Sequence, residues 1–189
     1  MAYQSINPYN GKLLKIFKEL TDPQVEKALK TAATCFDNWR HTTFADRAVV
    51  AAKAAAILRE RVDEFARPMT LEMGKRIEEA RGEVAVSADI IDYYAKNAER
   101  FLAPRKLKPK SGQAVIESSP LGVLFGVQPW NFPYYQLARF AAPNLMAGNV
   151  VMVKHAGCVP QCAIAFEKLW REAGAPVAHI PTCSSRTTK

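Results

Sequence analysis

The stretch from Leu121 to Phe140, "LGVLFGVQPWNFPYYQLARF", changes character twice within twenty residues. Its first part is an apolar, strand-like run, and its last part has apolar residues at helical spacing. Between them, Trp130 and Asn131 lie between two prolines. Pro129 fixes the exit from the strand, and Pro133 suits the first turn of a helix because it needs no amide partner. The stretch therefore predicts a strand, a rigid corner and a helix.

The residues that follow repeat this order of elements. Gly148 and Asn149 can end the first helix, "VVMVK" (150–154) predicts a second strand, and a second helix runs from Pro160 to a stop at Gly174. Such alternation is typical of a parallel, doubly wound sheet, and the apolar run 121–127 predicts a strand buried on both faces. Ligands of such sheets bind beyond the carboxyl ends of the strands, so Asn131 and Lys154 are expected to face one crevice.

The residues before this unit predict a hairpin followed by helices. Asn10-Gly11 between apolar stretches is a strong hairpin signal. Helices are then expected from Pro23, over 44–66 with an end at Pro68, in a short piece stopped at Gly74, and over 76–101. A basic linker and a strand precede the sheet. The predicted organisation is 1–104 for the hairpin and helical part of the cofactor domain, 105–118 for a strand arm, and 119–189 for the start of a Rossmann-like βαβα unit.

Composition restricts the function only loosely. The 189 residues carry a net charge of +8, which favours anionic ligands of any kind. Four cysteines without regular spacing fit a reducing cytoplasm, and no apolar run is long enough for a membrane helix. The basic run Arg105, Lys106, Lys108 and Lys110 lacks interleaved aromatic residues, so we expect no nucleic-acid partner. Without a long apolar run, we expect no membrane partner either.

Two interpretations of the corner remain open on periodicity alone. The Asn131 amide could be a neutral donor that stabilises developing negative charge. Alternatively, Asn131 satisfies turn amides and Trp130 fills the core. Neither residue pattern nor spacing decides between them.

Residues 119–156, "SPLGVLFGVQPWNFPYYQLARFAAPNLMAGNVVMVKHA", closely resemble the N-terminal half of the cofactor domain of aldehyde dehydrogenases. Upstream, "SINPYNGK", "FDNWR", "TLEMGK" and "EVAVSADIIDYYA" are similar to the opening of the same family. Within the family the chain is most similar to succinate-semialdehyde dehydrogenases. The resemblance implies an α/β fold: the N-terminal part of the aldehyde dehydrogenase fold, a helical segment plus an incomplete doubly wound, Rossmann-like sheet, with a strand arm used for subunit pairing.

The resemblance also implies roles for individual residues. Asn131 would be the side-chain half of an oxyanion hole, and Trp130 would flank the nicotinamide end of the site. Lys154 would bind the adenosine ribose, in a pocket lined by His155, Ala156 and Gly157. Arg139 matches an arginine that semialdehyde-specific members use for the far carboxylate of the substrate, which implies a small anionic aldehyde. Gly157 stands where NAD-preferring relatives often have a glutamate, so the cofactor is expected to be NADP or NAD, with Lys154 and His155 as donors to a 2′-phosphate.

The resemblance further implies that the catalytic cysteine and the general-base glutamate lie beyond Lys189. The final "VAHIPTCSSRTTK" does not resemble the family, which favours a truncated chain that is inactive alone. The alternative is a non-catalytic fragment that associates with an intact homologue. The resemblance also leaves a homo-oligomer as a possible assembly.

The cysteines allow two further hypotheses. His155, Cys158 and Cys162, together with His179 and Cys183, could be imagined as a zinc site, but they do not form a C-x₂-C pair, so no metal is expected. Cys158 lies near Lys154 and a predicted helix N-terminus, where the pKa of a thiol can be lowered.

Overall fold

The computed structural model describes residues 3–175. Two strands open the chain, β1 (Tyr3–Ile6) and β2 (Leu13–Phe17). Four helices follow, α1 (Asp22–Trp39), α2 (Phe44–Glu60), α3 (Val62–Met73) and α4 (Ile77–Leu102). The remaining elements are β3 (Arg105–Leu107), β4 (Ala114–Ile116), β5 (Val123–Gln128), α5 (Pro133–Met146), β6 (Val150–His155) and α6 (Pro160–Ala173). The predicted α/β class is confirmed.

The opening hairpin and the first helix form as predicted. Strands β1 and β2 pair antiparallel, and Gly11 takes a positive φ of 67° in the turn between them. Helix α1 starts after Thr21, whose side chain forms a capping box with Gln24. The hairpin is attached to the rest of the fold because Gln161 Nε2 donates to the buried Ser5 Oγ at 2.9 Å.

The predicted helix over 44–66 was wrong in its boundaries. It is interrupted at Arg61, which has φ −120° and ψ 39°, and Pro68 lies inside α3 instead of ending a helix. No glycine or proline marks this break. The Arg61 guanidinium forms ion pairs with Glu64 and with Glu172 of α6, at 3.4 and 2.9 Å, so a contact distant in sequence accompanies the interruption. Gly74 ends α3 in the left-handed conformation, as predicted.

The strand–helix–strand–helix unit is confirmed. Strands β5 and β6 pair in parallel, with Val123 opposite Val150 and Gln128 opposite His155. The side-chain oxygen of Asn149 accepts from the amides of Leu121 and Gly122 at 2.7 and 3.2 Å, which joins the starts of the two strands.

Helices cover the two faces of this strand pair unequally. Strand β6 is enclosed: Val150 and Met152 pack against α1, while Val151 and Val153 belong to the larger core formed with the other helices. Strand β5 is not buried on both faces as predicted, because Phe125 and Val127 are 59% and 67% exposed. Its opposite face is tightly packed: a Cβ at Gly126 would lie 2.6 Å from the Phe140 ring.

The basic segment predicted as a linker contains a short hairpin. Strands β3 and β4 pair antiparallel and expose Leu107, Val115 and Ile116. The hairpin lies within the predicted arm 105–118. The domain boundaries predicted at residues 104 and 118 stay predictions. Among the described residues, no helix has the length and apolar character needed to cross a membrane.

Candidate functional site

The two central side chains of the corner after β5 are exposed to solvent. Trp130 is 53% exposed and Asn131 is also exposed, and both stand between the end of β5 at Gln128 and the start of α5 at Pro133. The Trp130 side chain therefore does not fill the core, which removes one half of the structural interpretation. The function of the Asn131 amide stays a prediction.

A buried ion pair supports the corner from behind. The ammonium of Lys75 pairs with Glu83, and the side chains of the two residues are 8% and 1% exposed. The same ammonium donates to the backbone carbonyl of Asn131 at 3.0 Å and lies 4.0 Å from the centre of the Phe132 ring. Lys75 thus contacts the corner through a hydrogen bond and a cation–π contact.

Glu83 also caps α5. Its Oε1 accepts from the amides of Tyr134 and Tyr135 at 2.9 and 3.1 Å, whereas Phe132 at the N-cap makes no side-chain capping bond. Pro133 has no amide hydrogen to satisfy. A carboxylate from α4 therefore satisfies the first free donors of α5 and complements the positive end of its dipole.

Glu72 does the same for α6. Its two carboxylate oxygens accept from the amide of Gln161 at 2.9 and 3.0 Å, and Oε2 accepts from that of Cys162 at 3.1 Å. Pro160 is again the first helical residue. Because protein carboxylates already occupy the N-termini of α5 and α6, these two helix ends are not free to bind a phosphate.

Lys154 lies at the end of a strand face that α1 covers only in part: Val150 and Met152 of this face pack against α1, whereas Phe125 and Val127 are exposed. It is opposite Val127 in the parallel register, and paired residues project to the same face, so its side chain shares the face of Phe125 and Val127. We call Phe125, Val127 and Lys154 the open face. The predicted adjacency of the two strands is confirmed, while a crevice shared by Asn131 and Lys154 stays a prediction.

His155 differs from the expected phosphate donor. It is 2% exposed; its Nδ1 accepts from the Ala156 amide at 2.9 Å, and its Nε2 lies 3.3 Å from the Pro133 carbonyl. Burial lowers the pKa of His155 and the Lys154 charge lowers it further, although the bond to Pro133 opposes this. A neutral ring that donates through Nε2 fits both bonds, so His155 joins β6 to α5 and has no ring nitrogen left for a phosphate.

The other predicted site residues are partly accessible. Ala156 and Gly157 are half-buried after β6, and Gly157 has no positive φ, so its backbone admits other side chains. Arg139 is exposed on α5, with its guanidinium 5.3 Å from the centre of the Tyr135 ring. Their roles in binding stay predictions.

The thiols of the three described cysteines all have a raised pKa. Burial raises the pKa of the Cys35, Cys158 and Cys162 thiols, and the Glu72 charge adds to the effect on the last two. The lowered pKa expected for Cys158 was therefore wrong. Over residues 3–175 no group of three His, Cys, Asp or Glu side chains could hold a metal ion, and His179 and Cys183 lie outside the described residues.

Sequence reasoning did not identify Glu72, Lys75 and Glu83, although it quoted the segments that contain them. A signal was present: Glu83 lies on the buried stripe of α4 with Ala80 and Ser87, three and four residues away. An acid on an apolar helix face requires a partner, because an unpaired buried charge is costly.

Removing the two capping carboxylates should destabilise the fold unequally. Glu83→Ala leaves the buried Lys75 ammonium unpaired, so we expect the free energy of unfolding to fall by about 3 to 5 kcal/mol. Glu72→Ala leaves only amides without partners, and we expect a loss of about 1 to 3 kcal/mol. Urea unfolding followed by circular dichroism measures both. Adding Lys75→Met to Glu83→Ala should recover part of the loss, and equal losses for the two single variants would contradict this account.

Comparison with known proteins agrees with the resemblance seen in the sequence. The sequence profile of the aldehyde dehydrogenase family matches residues 1–187. A succinate-semialdehyde dehydrogenase of Deinococcus radiodurans, named for NADP(+), is 41% identical over 174 residues, covering 92% of this chain and 36% of the relative. A probable succinate-semialdehyde dehydrogenase of Synechocystis sp., also named for NADP(+), is 45% identical over 182 residues, covering 96% of this chain and 40% of the relative.

Solved structures show the same fold. The succinic semialdehyde dehydrogenase of Streptococcus pyogenes, determined with NADP+ as the cofactor, superposes with a TM-score of 0.89 at 43% identity, covering 92% of this chain and 38% of that one. Gox0499 superposes with a TM-score of 0.92 at 46% identity, covering 94% and 39%. The chain thus spans about two fifths of the length of the relatives it matches. It belongs to the aldehyde dehydrogenase family.

Proposed function

We propose that this chain supplies part of the active site for the NADP-dependent oxidation of a small anionic aldehyde, succinate semialdehyde, to the carboxylic acid. The observation that carries the proposal is the corner itself: an exposed Asn131 at the carboxyl end of a parallel strand, with its backbone held by a buried ion pair. Relatives named for this reaction, at over 40% identity, support it.

The Asn131 amide fits the role of an oxyanion donor. When a thiolate attacks the aldehyde carbon, a C–S bond forms and the carbonyl π electrons move to the oxygen, which becomes negatively charged. A fixed neutral donor stabilises this oxygen without itself reorganising. NADP, when bound, supplies the hydride acceptor that turns the thiohemiacetal into a thioester, which water then hydrolyses.

We propose that the thiolate does not come from Cys35, Cys158 or Cys162. Each of these thiols has a raised pKa and is therefore protonated at neutral pH, when a nucleophile must be ionised. We propose that the 189-residue chain does not turn over alone. In the alternative function, it is a non-catalytic partner of an intact homologue, which the exposed apolar side chains of Phe125 and Val127 support.

Arg139 is proposed to bind the far carboxylate of the substrate. Its guanidinium is exposed, and the part of the chain that the structure describes gives it no carboxylate partner. A guanidinium fork matches the two oxygens of a carboxylate, and such charge-assisted bonds are stronger than neutral ones.

Lys154 and Gly157 are proposed to favour NADP. The Lys154 ammonium lies on the open face and has no acidic partner in the described chain, so it is free to bind the adenosine ribose or its phosphate. Gly157 presents no carboxylate that would repel a 2′-phosphate. Ala156 and the buried His155 shape this end of the pocket without donating to the phosphate.

We also propose a reducing, cytoplasmic location and association with another copy or an intact homologue. The three described cysteines are unpaired, which supports a reducing compartment. The exposed apolar residues of the β3–β4 hairpin support contact with another chain.

The chain alone should show no sustained reduction of NADP or NAD with succinate semialdehyde. The described thiols are protonated, so no thiohemiacetal forms on them. Absorbance of the reduced cofactor measures this, and alkylation of each cysteine, located by mass spectrometry, reports its ionisation. We expect alkylation of Cys158 to be slow at pH 7 and to accelerate above pH 9, because its pKa is raised. Steady turnover that disappears in Cys158→Ser would refute this proposal.

A chimaera that joins residues 1–175 to the remaining part of the Synechocystis relative should oxidise succinate semialdehyde. Within it, Asn131→Ala should lower kcat by about 10²- to 10³-fold because the oxyanion loses a donor.

In the same chimaera, Arg139→Met should lower kcat/KM for succinate semialdehyde by about 10- to 100-fold. The kcat/KM for butanal, which has no far carboxylate, should stay unchanged. Equal effects on both aldehydes would remove Arg139 from the proposal.

Gly157→Glu in the same chimaera should change the preferred cofactor. The new carboxylate repels a 2′-phosphate, so kcat/KM for NADP should fall on the order of 10²-fold while that for NAD is retained. Gly157→Gln is the control, because it has the same size without the charge. An equal loss with Gln would show that bulk, and not charge, decides the preference.

A further inference from the structure

A buried cation in direct contact with an exposed catalytic candidate needs an explanation. The Lys75 side chain is 8% exposed, and a buried charge costs free energy unless it is paired and hydrogen-bonded. Its carboxylate partner, Glu83, already has a structural task in capping α5. Helix capping by itself requires no lysine, because Glu72 caps α6 with no such cation among its described contacts.

We infer that Lys75 is a positioning residue for the Asn131 amide, and this inference depends on the proposed function. The ammonium contacts both residues of the peptide bond between Asn131 and Phe132. It donates a hydrogen bond to the Asn131 carbonyl oxygen at 3.0 Å, and it lies 4.0 Å from the centre of the Phe132 ring. Rotation of this peptide would break both contacts, so the Cα of Asn131, from which the amide projects, is held in place.

Neighbouring elements hold Lys75 in turn. Gly74 ends α3 in the left-handed conformation, with φ 74° and ψ 16°, and so directs the chain from α3 to α4 at Lys75. Glu83 lies on the second turn of α4 and binds Lys75 with one oxygen and the start of α5 with the other. The Glu83 carboxylate therefore holds the Lys75 ammonium and the start of α5. Through Lys75 it also holds the corner at Asn131.

The kinetic test uses the active chimaera. Lys75→Met keeps the length and apolar volume of the side chain but removes the donor, and should lower kcat by about 10²-fold through misplacement of the Asn131 amide. The KM for succinate semialdehyde should change much less. Lys75→Arg, which keeps a cationic donor, should recover most of kcat. Arg47→Met is the control, because Arg47 is also buried and donates to a carbonyl, that of Thr42, but lies near Gly148 after α5.

The decisive comparison repeats Lys75→Met in the Asn131→Ala background. If Lys75 acts through the Asn131 amide, its removal should cost no more than about twofold there, since that amide is already absent. A full loss in both backgrounds would overturn the inference. If Asn131→Ala alone leaves kcat unchanged, the oxyanion role fails instead, so the two failures are distinguishable.

Amide hydrogen exchange tests the positioning step without any activity. In the 189-residue chain, Lys75→Met should speed exchange at Phe132, Tyr134 and Tyr135 relative to the wild-type chain. Exchange at Gln161 and Cys162, which Glu72 binds, should stay unchanged. Lys75→Arg serves the same comparison if Lys75→Met does not fold, and should give smaller increases at the same amides. Unchanged exchange at the corner, or equal acceleration at both helix starts, would overturn the inference.

Discussion

The pairing of a buried carboxylate with a helix N-terminus, used twice, is the constraint on which the rest of the structure depends. Helices α5 and α6 begin in the interior, where water cannot satisfy their free amides. Each starts with a proline, which removes one amide, and each lacks a capping side chain of its own. Glu83 and Glu72 provide the missing acceptors from α4 and α3. The parallel unit therefore depends on carboxylates that precede the amides they bind by 51 to 90 residues, and the two parts share one core.

Local signals predicted most of the elements, because their causes lie within a few residues. The Asn10-Gly11 turn, the proline starts and the glycine stops at 74 and 174 needed no tertiary information. The break at Arg61 could not be predicted in this way, since its distinguishing contact is with Glu172. The exposure of Phe125 and Val127 was also not visible, because an apolar strand has the same sequence whether or not a layer covers it.

The sequence suggested the accessible residues of the candidate site, whose roles stay predictions, but not its supporting residues. Trp130, Asn131, Arg139 and Lys154 were identified by corner geometry and resemblance, which emphasise residues at strand ends. Lys75 and Glu83 lie in helical segments with an ordinary amphipathic pattern, where charged residues are normally solvated. Only tertiary packing shows that this pair is buried. His155 is a different case: its position beside Lys154 indicated a donor to a phosphate, whereas its ring nitrogens bind backbone atoms of Pro133 and Ala156.

A buried polar network and an exposed strand face lie next to each other around β5 and β6. A site that stabilises developing charge requires both. An oxyanion donor is effective only if it is fixed before charge develops, since reorganisation during the reaction would consume the stabilisation. Behind Asn131, Lys75, Glu83 and the α5 amides form a continuous buried network. In contrast, the part of the strand face formed by Phe125, Val127 and Lys154 is not covered by α1, which packs on Val150 and Met152 of the same face. The polar network therefore gives rigidity where the proposed donor must not move, and the exposed part of the apolar face leaves room for the proposed ligand or for another layer of protein.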